Sequence, residues 1–209
     1  MPSASASADA PFTYRPRTGP VMAIGVWAVA AWAVASLAVT EPGRLVTWAP
    51  LAALICLTIW AVFWAPKVVV GPERLEVRNV AATYEVPWAA ISHIDTKWAL
   101  TLYTTGGRIT AFAAPAPSGL RAEHASGSAG LRHLPESTFD AGRSARPGDV
   151  PGTASGDLAW VIRERWEKVR DAVPTGSASG AAPIRRWHVR TLAAWAALAV
   201  VTALTQVLA

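Results

Sequence analysis

This 209-residue chain has a single cysteine, only 16% charged residues, and a central part with almost no net charge. Each shortage excludes something. A lone thiol, Cys56, cannot close an intramolecular disulfide, so the fold needs no oxidising compartment. Cys56 sits in an apolar stretch and is read as a packing residue rather than a redox group. The formal charge of +5 suggests nucleic acid at first sight, yet residues 67–171 hold 13 basic and 12 acidic side chains. A nucleic-acid binder needs a basic face on the domain itself, and that requirement is unmet.

Catalytic signals are scarce as well. No serine occupies a Gly-x-Ser-x-Gly elbow, and no glycine-rich phosphate loop follows a strand. Gly106-Gly107 is better explained as a turn. The histidines are His93, His124, His133 and His188. His93 falls in an expected strand, with a solvent-facing or hydrogen-bonded role. His124 and His133, with Glu123 nearby, fall in a stretch without periodicity, whereas a metal needs three or four ligands at defined spacing. His188 neighbours Arg186 and Arg190 and reads as part of an interfacial belt. We therefore expect no catalytic, cofactor-binding or metal-binding residues, no cofactor, and no enzyme.

What the chain does have is three stretches without any charge, residues 18–40, 45–66 and 191–209. A hydrocarbon core of about 30 Å needs roughly 20 apolar residues of helix. The expected spans are 21–39 and 45–65, forming a hairpin within 20–65, and a third helix within 184–209. The turn contains Pro42-Gly43. The first apolar run is longer than a signal-peptide core, so it is read as retained. Trp48, Trp64 and Trp187 lie near span ends, where indoles prefer the headgroup level. Trp27, Trp32, Trp60 and Trp195 lie deeper and are either helix-packing surface or lipid-facing, packing being the plainer reading. No charge lies inside the spans, so nothing suggests a proton or ion pathway.

Arg15, Arg17, Lys67, Arg185, Arg186 and Arg190 all fall on one side of a three-span topology. The positive-inside rule makes that side cytoplasmic. The protein is thus expected in the cell membrane as a multi-pass protein. Its N-terminus and central domain would be inside and its C-terminus outside.

Residues 1–19 begin with a Ser/Ala alternation and read as disordered. From Lys67 the pattern turns to strands. Lys67–Val70 is a β-branched run, and Gly71–Arg74 a turn. Leu75 and Val77 alternate with Glu76 and Arg78. Tyr84, Val86 and Trp88 alternate, Ile91 and Ile94 recur, and Leu100 and Leu102 lead to Gly106-Gly107, a hairpin signal. Beyond it, either Ile109, Ala111 and Ala113 or Thr110 and Phe112 face inward. About six short strands in under fifty residues imply antiparallel sheet. Residues 114–156, with five prolines and seven glycines, lose all periodicity and read as a disordered insertion. Leu158, Ile162, Trp166, Val169 and Val173 then share one helix face, with Asp157 as N-cap and Pro174 as stop. Residues 174–183 read as a linker.

Val68–Val77, then Val86-Pro87-Trp88-Ala-Ala-Ile91, then the Gly-Gly hairpin resemble the bacterial PH-like domains of the low-molecular-weight protein antigen type. The Pro-Trp-x-x-Ile element carries most of this. Pro87 and Trp88 would end one strand and plug the sandwich, and Ile91 would begin the next. The resemblance covers about residues 66–113 and 157–173, together with the hairpin before them. It implies an actinobacterial source and an α+β fold, a membrane-anchored PH-like antiparallel β-sandwich capped by one C-terminal helix. The domain would span 66–173. No seventh strand is found, because the insertion occupies the place of the last one.

Eukaryotic relatives of this fold often bind phosphoinositides through basic residues at the first strand turn. Here that turn holds one Arg beside a Glu, which argues against inositol-lipid binding. The function expected is a non-catalytic interaction or scaffold module at the inner leaflet. Its partners would be the bilayer and a protein in or at the membrane, met at an unpaired strand edge rather than the insertion, whose one aromatic is Phe139. The alternative is an accessory subunit of a larger membrane enzyme or transporter.

Overall fold

The computed structural model describes residues 11–16, 18–115, 154–172 and 182–208. Most of the insertion, including His124, His133 and Phe139, lies outside them, as do Val173, Pro174 and most of the 174–183 linker. The described chain divides into two compact units, one built of strands with one helix and one of apolar helices.

The first unit is α+β. A five-stranded antiparallel sheet runs in the order β1-β2-β3-β4-β8, and a three-stranded one in the order β5-β6-β7. The strands are β1 Phe12–Tyr14, β2 Lys67–Val70, β3 Arg74–Arg78, β4 Ala82–Pro87, β5 Ile91–Asp95, β6 Ala99–Thr104, β7 Gly107–Pro115 and β8 Ile184–Trp187. Side chains alternate across a strand, so one face of each sheet can be apolar. Val68, Val70, Leu75, Val77 and Val86 from the large sheet are buried with Ile94, Leu100, Leu102, Ile109, Ala111 and Ala113 from the small one. On β7 it is therefore Ile109, Ala111 and Ala113 that point inward, while Phe112 is exposed. Gly107 closes the β6–β7 turn with φ +111°, a conformation side chains with a Cβ avoid.

The Pro-Trp-x-x-Ile element forms the corner between the sheets. β4 ends at Pro87, Trp88–Ala90 make one 3₁₀ turn, and β5 begins at Ile91. Trp88 is buried in the core, and its indole Nε1 donates to the Gly71 and Pro72 carbonyls at 3.2 and 3.0 Å. A buried indole N–H needs such a partner. Helix α3, Ala154–Ala172, closes the sandwich with Leu158, Ile162 and Trp166. The helix starts three residues before Asp157, which is therefore a first-turn acid and not the N-cap. A carboxylate in the first turn still complements the helix dipole.

Four stretches differ from the sequence reading, two of them inside the expected insertion: Ala114 and Pro115 extend β7, and residues 154–156 open α3. Phe12–Tyr14 form a strand within 1–19, where disorder is expected. Ile184–Trp187 form a strand where the third span is expected to start. Beyond the six strands expected from Lys67 onward, the described residues thus add two, β1 from ahead of the first span and β8 from ahead of the third apolar helix. Three residues are too few to show alternation, and β1 is held by its pairing Phe12↔Val70, Thr13↔Val69 and Tyr14↔Val68.

The second unit holds α1 Thr18–Thr40, α2 Leu45–Ile59 and α4 Val189–Val207. The 3₁₀ turn Pro42–Arg44 precedes α2, and the π-helical turn Trp60–Trp64 extends it. All three segments are long and apolar enough to cross a membrane, counting Pro42–Trp64 as one. The hairpin turn carries an Arg44–Glu41 ion pair at 2.8 Å. Among the deep indoles, Trp27 stacks on Trp64 with ring centroids 5.5 Å apart and donates to the Cys56 carbonyl at 3.2 Å. Trp195 donates to Thr58 Oγ1 at 2.9 Å. Those two make contacts within the helical unit, whereas Trp32 faces outward, the alternative to the plainer packing reading.

Candidate interaction site at the strand edges

A sheet edge presents main-chain donors and acceptors that a partner strand can satisfy. In the large sheet the edges are β1 and β8, and both are short. In the small sheet they are β5 and β7. The β7 edge is capped by a side chain: Asn79 Nδ2 donates to the Thr110 carbonyl at 2.8 Å, and Phe112 N donates to Asn79 Oδ1 at 2.9 Å. One carboxamide thus stands in for a strand over one residue pair.

β5 has β6 as its one strand neighbour among the described residues. A register shift between Ile91 and His93 places Ser92 at a bulge, and Ser92 Oγ donates to the Tyr103 carbonyl at 3.0 Å. His93 and Tyr103 lie side by side on the exposed face, ring centroids 5.6 Å apart. The start of β5 is tied from the helix, because Trp166 Nε1 donates to the Ile91 carbonyl at 3.1 Å.

β8 is fastened by its two arginines. Arg186 Nε lies 2.7 Å from Glu85 Oε1, and the Arg185 guanidinium lies 5.5 Å from the Tyr84 ring centre. Glu85 also receives Arg74, Nη1 to Oε2 at 2.8 Å. The one arginine of the Gly71–Arg74 turn is thereby engaged, with Glu73 a further 3.9 Å partner. At the opposite edge Tyr14 is half-buried, and burial pushes its phenol above the ordinary value, with the Asp157 carboxylate adding to the rise.

His188 is tied down just ahead of the third apolar helix. Its Nδ1 is 3.2 Å from the Val80 carbonyl, and its backbone N–H donates to the Ala81 carbonyl at 2.9 Å. Cys56 is a free thiol within the helical unit. No group of three potential metal ligands exists among the described residues. Sequence reasoning missed Asn79, which looks like an ordinary turn residue, and Arg163. Arg163 is fully buried on α3, and its Nη2 donates to Thr96 Oγ1 at 3.3 Å. Position 163 follows Ile162 on the inner face, but a charged residue there gives no apolar signal.

A family model described as a bacterial PH domain matches residues 65–147. No curated protein and no solved structure matches the chain.

Proposed function

We propose that this membrane protein, which carries a PH-like domain, is a non-catalytic interaction module held at the inner leaflet. One observation carries the reading. Three strands of one sheet run almost directly into apolar helices. β1 ends four residues before α1, β2 begins three residues after Trp64, and β8 ends two residues before α4. Such a sheet is fixed to the bilayer at three points, which suits a scaffold. The tether also raises the effective concentration of a partner in the same membrane, so modest affinity suffices.

The recognition surface in this reading is the β5 edge, where a partner strand adds through main-chain hydrogen bonds beside His93 and Tyr103. Ser92→Pro removes a backbone donor at the bulge, where proline is tolerated. Crosslinking in native membranes followed by purification should lose partners in Ser92→Pro and keep them when residues 118–153 are deleted. Orientation follows the Arg and Lys distribution. On a Cys56→Ala background, Gly43→Cys should react with an impermeant reagent in intact cells and Ser126→Cys should not. The reverse pattern refutes the orientation.

A second reading makes the protein an accessory subunit. Its support is a cleft of about 540 Å³ between α1 and α2, lined by Trp27, Ala31, Val34, Ala35, Ala52 and Cys56. Small residues let another helix approach closely in a bilayer. Partners that survive both changes above would favour this reading over the β5 edge.

A further inference from the structure

At one end of the large sheet two cations face each other across adjacent strands, and a third follows the end of β1 beside them. Lys67 opens β2 and Arg78 closes β3, and the two are direct cross-strand partners. Both lie on the outer face, since Val68 and Val77 beside them point into the core. Arg15 follows Tyr14, whose partner on β2 is Val68, next to Lys67. Like charges directly opposite each other on a sheet repel, with Cβ atoms about 5 Å apart. No carboxylate pairs with any of the three among the described residues. Glu76, two positions from Arg78 on the same face, makes no ion pair, and Glu85 is taken by Arg74 and Arg186. Arg78 Nε is moreover buried without a hydrogen-bond partner. A desolvated, unpaired guanidinium nitrogen is costly unless an anion completes it.

The chain fixes where this group sits. Lys67 is three residues beyond Trp64, the end of the second apolar helix, and Arg15 is three residues ahead of Thr18, the start of the first. Three residues reach at most about 10 Å. That reach overlaps the headgroup layer, which is about 5–8 Å thick.

We propose that Arg15, Lys67 and Arg78 bind the phosphate of an anionic lipid headgroup. Arg78 supplies the geometrically defined donor, and Lys67 and Arg15 supply charge. The site lies on the outer face of the strands. It is distinct from the Gly71–Arg74 turn at the other end of β2 and β3, where Arg74 is bound to Glu85.

The test uses the full chain in nanodiscs of phosphatidylcholine alone or with phosphatidylglycerol, with lipid retention read by native mass spectrometry. A basic residue near an anionic leaflet is worth about five-fold in binding, so Lys67→Gln/Arg78→Gln should weaken phosphatidylglycerol retention about thirty-fold. Arg74→Gln should leave it unchanged. Equal retention by the double variant and the natural chain overturns the proposal. Melting separates binding from a structural role. Lys67→Gln should hold or raise the melting temperature in phosphatidylcholine, by relieving repulsion, and lower it in phosphatidylglycerol. A fall of equal size in both lipids assigns the group a structural role and overturns the proposal. Glycerol phosphate that stabilises the chain in phosphatidylcholine as strongly as phosphatidylglycerol does would make the ligand a free phosphate and overturn the lipid assignment.

Discussion

The two units are rich in the same residue types, valine, alanine and tryptophan, and treat them oppositely. In the sandwich, Val68, Val70, Val77, Val86 and Trp88 are buried almost completely. In the helices, Val29, Val39, Val46 and Trp32 are exposed, and only 6% of each apolar window is buried. Water drives the first pattern, because apolar area is removed from it at about 25 cal/mol per Å². Hydrocarbon permits the second, since lipid tails are as apolar as leucine and do not drive helices together. Helix contacts rest instead on polar handles and close approach. Trp27 on the Cys56 carbonyl, Trp195 on Thr58, and Gln206 Nε2 on the Thr47 carbonyl at 3.3 Å are of this kind.

The sharpest test of this contrast compares two tryptophans. Trp88→Ala should cost about 3–5 kcal/mol, through lost core volume and a lost indole donor. Trp32→Ala, at a side chain 72% exposed in the first span, should change stability by less than about 0.5 kcal/mol. Thermal melts in nanodiscs would show it, and similar costs for both would mean that the two units do not treat tryptophan differently.

Within the helices, approach distance replaces burial. A Cβ at Gly19 would collide with the Phe63 carbonyl oxygen, whereas one at Gly25 meets nothing within 4 Å. Gly19→Ala should therefore destabilise the hairpin by about 1–3 kcal/mol, and Gly25→Ala should be neutral, as read by unfolding in mild detergent.

In the sandwich, Asn79→Ala removes both hydrogen bonds to β7 and should cost about 1–2 kcal/mol. Faster hydrogen exchange at Phe112 would report the opened edge. The smallest effect concerns Tyr14. Its phenol is held neutral in the fold above the ordinary value of 10.0, while the unfolded chain ionises there. The contribution of Tyr14 to stability should be constant below pH 10 and be lost as pH rises through the raised value, and Tyr14→Phe should abolish that loss. A pH titration of the melting temperature checks the sign.

The contrast also explains what the sequence discloses. Strands β2 to β7 are legible because water forces alternation, and Gly106-Gly107 marks their hairpin. The spans are legible by length, but being apolar all round they do not reveal which indoles pack. β1 and β8 are not legible. Phe12-Thr13-Tyr14 is too short for a period, and Ile184-Arg185-Arg186-Trp187 looks like the basic flank of a span. Their reasons are tertiary: β1 exists because β2 offers an edge, and the β8 arginines answer Glu85 and Tyr84. The candidate β5 edge shows as a strand in the sequence, but its single neighbour emerges only from the sheet order. Arg163 is hidden because a helix stripe is read from apolar residues alone.

One sheet is assembled from strands that come before, between and after the apolar helices in the chain, which ties it to them at several points. Thr13 and Val69 are cross-strand partners on β1 and β2. Their spacing in an antiparallel sheet, about 4.5–5.5 Å between Cα atoms, suits a disulfide. Thr13→Cys/Val69→Cys on a Cys56→Ala background, oxidised in native membranes, should give a crosslink between positions 13 and 69 by mass spectrometry. A Thr13→Cys/Glu85→Cys pair should give none. Failure of the first pair to crosslink, or equal crosslinking of the second, would show that β1 does not pair with β2.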